Sequence, residues 1–244
     1  MPFDTARIIT TGNLKVFMKY PSVIFRLGGG KISAYAYILE RVFAQLQCSA
    51  LSQIERCLNQ SIDEGHIVFP RELSVFDGSY DLSNIIMLYY LTKVHRPENV
   101  VETGVWTGKT SWAILRALGE NYEGRLYSID LGTKDIDGQR LPVAEIGGLI
   151  PQELRSLWTL LIGDSKDILP KVVFDLSHVD LFYHDSNHAY EHMTFEFETV
   201  WKRLRTGGLL CSDDTDRNSA FQDFSRRCDR PYHQIGNRFG LLIK

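Results

Sequence analysis

One stretch of thirteen residues, Asn99-Val-Val-Glu-Thr-Gly-Val-Trp-Thr-Gly-Lys-Thr-Ser111, restricts this chain more than any other. Pro97, the β-branched pair Val100 and Val101, and then Gly104 and Gly108 read as a buried strand, a glycine turn and a helix start in direct succession. Such a turn sets free backbone N–H groups and the positive end of a helix dipole beside the carboxyl end of a strand, a place for a polar, nucleotide-like ligand. Spacing sorts the candidates. A P-loop needs four residues between its first glycine and Gly-Lys-Ser/Thr, and only Val105, Trp106 and Thr107 separate Gly104 from Gly108-Lys109-Thr110. A dinucleotide fingerprint needs glycines at its third and sixth positions, where Trp106 and Lys109 stand.

From Asn99 onward strands and helices alternate at the pace of a parallel α/β sheet. The pattern predicts strands at 99–103, 125–130, 157–162, 179–184 and 209–212. Helices are predicted near 109–118, 151–155, 190–204 and 220–228, and a closing hairpin at 232–235 and 239–243 turns through Gly236-Asn237. A helix over 84–95, stopped by Pro97, precedes them. Residues 1–80 read as a mostly helical extension or lid, with Tyr35, Leu39, Val42, Phe43 and Leu46 at helical spacing and Gly28-Gly29-Gly30 as a hinge; residues 81–244 read as the ligand-binding domain.

At 244 residues, 44% hydrophobic and 23% charged, the chain is ordinary globular material. Its net charge of −3 exerts no general pull on nucleic acid, and the basic clusters Lys202/Arg203/Arg205 and Arg226/Arg227/Arg230 read as solvated helix faces. The longest strongly apolar run, Ile85 to Leu91, falls far short of the ~20 residues that cross a bilayer. Cys48, Cys57, Cys211 and Cys228 show no metal-like spacing, and the N-terminus has no apolar signal core, so a reduced, cytoplasmic protein is expected. A homo-oligomer is compatible with the sequence, which has no specific signal for one.

In an open α/β sheet the ligand lies over the carboxyl ends of the strands. Each predicted parallel strand ends at or beside an acid: Glu102, Asp130, Asp164 within Gly163-Asp-Ser165, Asp185, and the pair Asp213-Asp214. Any one of them could be a helix N-cap, Asp164 above all, but a whole row is more than capping requires. Asp130 lies twenty-two residues past Gly108, where an acid accepts both ribose hydroxyls of an adenosine. Asp185, Asp213 and Asp214 supply hard oxygens from neighbouring strand ends, suited to an octahedral Mg²⁺ if the last strand has already turned at Asp213; otherwise the adjacent pair points to opposite faces. The competing view of these acids is one ligand to the nucleoside and one N-cap. His184, His188 and His192 show the spacing of a helical zinc site, yet the predicted strand, loop and helix break that periodicity.

Val101-Glu-Thr-Gly-Val-Trp-Thr-Gly108 resembles the first motif, Glu-x-Gly-x-x-x-Gly, of S-adenosylmethionine (SAM) methyltransferases, and in particular of the macrocin O-methyltransferase group. The resemblance covers roughly Asn84 to Lys244. It implies a Rossmann-like, seven-stranded, mostly parallel sheet of order 3-2-1-4-5-7-6 and methylation of a hydroxyl on a sugar or other small polyhydroxylated acceptor. It also implies SAM held by Glu102, Thr103, Gly104, Gly108, Thr110, Ser111, Asp130, Asp164, Ser165 and Asp185, with Mg²⁺ on Asp185, Asp213 and Asp214. His188, three residues after Asp185 where related enzymes place a basic side chain, would act with Asp185 as the catalytic pair, His188 being the general base. The group's Asp-Gly-Asp and Asp-Asp-Tyr texts appear here as Asp-Ser-Asn and Asp-Asp-Thr. A metal-free methyltransferase, a nucleotide-binding module on the near-miss P-loop and a catalytically silent interaction protein are the alternatives.

Overall fold

The fold is built outward from β1 (Asn99–Thr103), whose Val100 and Val101 are fully buried between two parallel neighbours. In the computed structural model, which describes residues 81–132, 142–235 and 238–244, β1 pairs with β2 (Arg125–Asp130) on one side and β4 (Val179–His184) on the other. Sheet order is β3-β2-β1-β4-β5-β7-β6, with β3 (Trp158–Ile162) at one edge, β5 (Leu204–Ser212) after β4, and the hairpin β6 (Tyr232–Ile235) and β7 (Phe239–Ile243) antiparallel at the other edge. The order expected from the motif is the order observed. Residues 84–244 form a compact unit of their own. The expected extension at 1–80 and the hairpin turn at 236–237 lie outside the described residues.

Helices cover both faces, as a parallel sheet requires. In α1 (Asp81–His95), Ile85, Leu88 and Thr92 are buried at helical spacing; α2 (Lys109–Asn121) buries Ala113, Ile114, Ala117 and Leu118. On the other side α3 (Ser165–Asp175), α4 (Tyr190–Trp201) and α5 (Ala220–Cys228) enclose a core of Leu169, Phe182, Phe197, Phe221 and Phe224. Among the described residues no helix is long and apolar enough to cross a membrane.

Four elements differ from the sequence expectation. Helix α2 runs through Gly119, its predicted stop, to a left-handed Tyr122. Helix α4 ends at Trp201 because Leu204 already pairs with Val179; the register then jumps so that Leu181 faces Leu209, and Gly207 (φ +76°) accommodates the excess residues as a bulge. Helix α3, for which the sequence offered Asp164 as an N-cap but no range, forms with Pro170 inside it and buries Leu169 and Val173. The segment expected as a helix near 151–155 is a 3₁₀ turn, Gln152–Leu157.

Arg203, one of the residues expected on a solvated basic face, instead closes the C-terminus of α3. Its guanidinium donates to the carbonyls of Val173 (3.0 Å), Phe174 (3.0 Å) and Leu176 (2.6 Å). These carbonyls face the negative end of the helix dipole, so a cation that also hydrogen-bonds them stabilises the α3–β4 connection. Arg203→Ala is expected to lower stability by about 2 kcal/mol, the range of hydrogen bonds from a charged donor, measured by urea denaturation with unchanged slope. A loss within a few tenths of a kcal/mol would show the cap to be replaceable by water.

Candidate active site

The site is made by strands that overrun their partners by one residue. The ladder continues past the strand ends through Gly104 N–H to Ile129 O (2.9 Å), Asp185 N–H to Thr103 O (2.8 Å), Asp213 N–H to His184 O (2.9 Å) and Gly163 N–H to Asp130 O (2.8 Å). The first residue beyond each strand is therefore fixed by backbone bonds at the rim of the sheet. Order reverses between β1 and β4, and a cavity of about 710 Å³ opens there, lined by Gly104 to Trp106, Asp130, Asp164, Ser165, Asp185, His188 and Arg217 among others.

Gly104 adopts φ +85°, and a Cβ on it would lie 1.9 Å from the carbonyl oxygen of Asp185. No other residue fits. Asp130 closes the turn from the β2 side: Oδ2 accepts from the N–H groups of Val105 (2.9 Å) and Trp106 (3.0 Å), and Oδ1 from that of Gly132 (2.8 Å). The amides that would cradle a phosphate in a P-loop thus already hold a carboxylate, which removes the nucleotide-phosphate reading. Trp106 sits at φ +51°, a costly conformation for an aromatic residue, secured by Gly147 N–H donating to its carbonyl at 2.8 Å.

Of the expected cofactor residues, Gly104, Asp130, Asp164, Ser165 and Asp185 line the cavity. Glu102, Thr103, Gly108, Thr110 and Ser111 are absent from that lining, and the side chains among them are buried. Glu102 accepts from Thr110 (2.8 Å), Ser111 (2.5 Å) and Ser128 (2.8 Å), lashing β1 to the first turn of α2 and to β2. Burial pushes its carboxyl up to about 7 despite these three donors. Asp164 also caps α3, accepting from Lys166 N–H at 2.8 Å.

Glu196 is a functional residue that motif reading overlooked. Fully buried, it accepts from Thr103 Oγ1 (2.6 Å) and Ser186 Oγ (2.9 Å) and pairs with His184 Nδ1 (2.7 Å) and His192 Nε2 (2.9 Å). Burial opposes its ionisation, but His184 and the bonds from His184 and His192 outweigh it and hold the carboxyl well below the usual range. His192 in turn bonds Ser165 Oγ at 2.9 Å, so one anion orients side chains from β1, β4, α3 and α4. The sequence signal was present: an acid inside the apolar stripe Met193, Phe197, Val200.

At the acceptor end, one ligand atom each from Asp185, His188 and Asp213 lie within 4.8 Å of one another. Asn84 Nδ2 donates to Asp213 at 2.8 Å, and the Tyr183 hydroxyl, kept protonated by burial and by nearby acids, donates to Asp185 at 3.3 Å. Asp214, the expected third ligand, falls outside this group. It sits in the cavity lining with φ +51° and is held by Arg217 Nε at 2.5 Å and by Arg238. His188 has a side chain only 8% exposed; its Nε2 lies 3.9 Å from both Asp185 Oδ1 and Asp214 Oδ2, and neither ring nitrogen has a hydrogen-bond partner. Burial first, then the positive neighbours His184, Arg217 and Arg238, lower its ring to about 3.

Residues 101–215 match a family model described as a methyltransferase domain. No curated protein sequence is significantly similar to the chain. Solved structures share the fold at low identity. The O-methyltransferase TomG from Streptomyces achromogenes, involved in tomaymycin synthesis and seen with SAM, is 18% identical over 86% of this chain and 97% of its own, with a TM-score of 0.51. An O-methyltransferase from Bacillus cereus with S-adenosylhomocysteine is 16% identical over 85% and 97% (TM-score 0.51). The TDP-rhamnose 3'-O-methyltransferase of calicheamicin biosynthesis is 14% identical over 81% and 95% (TM-score 0.54). Sheet order, glycine turn and domain match agree on the class: residues 101–215 match a methyltransferase domain, set in the strand order of the class I SAM-dependent methyltransferase fold.

The Glu102 shift has a checkable sign. A carboxyl whose folded value exceeds its unfolded value of 4.5 disfavours the fold once ionised; stability is intact below 4.5 and declines as pH rises to 7, by about 3 kcal/mol at most. Between pH 5 and 8, wild type is therefore expected to lose stability relative to Glu102→Gln in paired denaturation curves. Parallel pH profiles for the two proteins would contradict it.

Proposed function

We propose that this methyltransferase acts on a hydroxyl oxygen of a small polyhydroxylated acceptor, a sugar or a molecule of similar chemistry, with assistance from a divalent cation, Mg²⁺ being the ion the sequence suggested. One observation carries the reading: a single cavity of about 710 Å³ joins the glycine turn and Asp130 at one end to Asp185 and His188 at the other, room for a nucleoside and a small acceptor side by side. The structural neighbours titled O-methyltransferases support it.

In this reading Asp130 receives the ribose hydroxyls with its remaining acceptor capacity, Asp164 and Ser165 flank the adenine, and the Gly104 backbone lies along the methionine part. Glu102, Thr103, Gly108, Thr110 and Ser111 act from behind by fixing the turn and the first turn of α2. SAM supplies an electrophilic methyl group, and a divalent ion on Asp185 and Asp213 would acidify the acceptor hydroxyl. His188, the expected general base, is neutral at working pH but too buried to be a strong one. Asp185, whose side chain is one-third exposed, is the better-placed carboxylate to pass the hydroxyl proton toward water. The rest is positioning: the rim residues hold acceptor oxygen and methyl donor in line.

Calorimetry with S-adenosylhomocysteine and with Mg²⁺ tests the division of roles. Asp130→Ala is expected to weaken nucleoside binding about 100-fold or more, since it removes both ribose contacts and the turn's anchor, whereas Asp213→Ala should leave nucleoside affinity within about threefold and abolish the divalent-ion heat. Equal loss of nucleoside binding in both variants would refute the assignment.

A further inference from the structure

We infer that the divalent site of this chain is a mixed nitrogen and oxygen site, His188 joining Asp185 and Asp213 as a ligand, and that it selects a borderline transition ion such as Mn²⁺, Fe²⁺ or Co²⁺ over Mg²⁺. The inference rests on the metal-assisted reading above and changes its third ligand and its ion.

Three observations carry it. First, the group that closes within 4.8 Å contains an imidazole and two carboxylates, from the loop after β4 and the end of β5. Second, the side chain of His188 is only 8% exposed, and its ring nitrogens have no hydrogen-bond partner among the described residues. A buried polar atom left unpaired costs about 1–3 kcal/mol, so a ring kept in that state is a ring with a missing ligand. Its position is enforced: Asn218 Nδ2 donates to the His188 carbonyl at 2.8 Å, Asn187 Oδ1 accepts from Ala189 N–H at 2.9 Å, and the His184 ring packs edge-on against the His188 ring with centroids 5.1 Å apart. Third, Asp214 is already committed. With Arg217 on one oxygen and Arg238 on the other, drawing it onto an ion would break both pairs and bring two guanidinium groups toward the cation.

Ligand type then decides the ion. Oxygen-only shells suit Mg²⁺, which holds its water tightly and demands near-ideal octahedral geometry; an imidazole donor shifts preference toward the first-row transition ions. Three protein ligands leave coordination positions for an acceptor hydroxyl and for water, as the proposed reaction needs.

Pulsed EPR on the full chain with Mn²⁺ and S-adenosylhomocysteine reads the ligand directly. Wild type is expected to show nitrogen hyperfine coupling to Mn²⁺, and by competition calorimetry to favour Mn²⁺ over Mg²⁺. His188→Gln should lose the coupling and reduce the Mn²⁺/Mg²⁺ affinity ratio by about tenfold or more, while Asp214→Asn keeps the coupling. Bound Mn²⁺ without nitrogen coupling in wild type would overturn the inference and leave the metal-assisted reading standing, and that result needs no variant to fold. A ratio unchanged in a folded His188→Gln protein that still binds S-adenosylhomocysteine would also overturn it. Failure of wild type to bind either ion while binding S-adenosylhomocysteine would remove the metal-assisted reading and this inference together.

Discussion

The contact on which the site depends is between two backbones. Gly104 and the Asp185 carbonyl approach so closely that a single methyl group would collide, and this proximity follows from the parallel pairing of β1 with β4, Thr103 beside His184. Because β1 and β4 are neighbours at the point where strand order reverses, the turn after β1 and the loop after β4 cannot be shaped independently. One belongs to the cofactor half and the other begins the acceptor half. A methyl donor and its acceptor must meet in line within a few tenths of an ångström, and a backbone contact fixes their relative placement more rigidly than side chains could.

Around that contact the chain places buried acids in three different ways. Glu102, surrounded only by hydroxyl donors, is pushed toward neutrality and serves as a latch. Glu196 meets two histidines and stays ionised, so it orients Ser186, His192 and, through His192, Ser165. Asp214 is balanced by two arginines. What separates the three is the partner supplied: a neutral hydroxyl leaves the desolvation of a carboxylate largely uncompensated, whereas an imidazole or guanidinium offsets it. Asp130, Asp164, Asp185 and Asp213 stand at the carboxyl-end rim of the sheet.

Much of this was legible in the sequence because it is encoded locally. Glycines on either side of Trp106, valines before them, and acids at strand ends mark the crest of the cavity without reference to distant residues, and the resemblance they carry implied the sheet order. What escaped was long-range or two-valued. A row of acids says nothing about which will find a buried cation, and the guanidinium partner of Asp214 at Arg238 lies past helix α5 and strand β6, just before β7. Glu196 was not singled out because its pairing with Thr103, 93 residues earlier, cannot be read from the spacing of its own helix. Helix α3 contains Pro170, whose cost is outweighed by the burial of Leu169 and Val173 against the core.

In the proposed reading, the charges around the acceptor bear on how the nucleophile is stabilised. Asp185, Asp213 and Asp214 against Arg217 and Arg238 leave one negative charge in excess, with His188 neutral. A divalent ion added to that set makes the surroundings of the acceptor oxygen net positive, which favours an alkoxide over an alcohol. Three carboxylates without the arginines would remain net negative after binding the same ion and would oppose the alkoxide. In the proposed reading, holding Asp214 in the arginine pair therefore exchanges affinity for a hard cation against electrostatic support for the nucleophile.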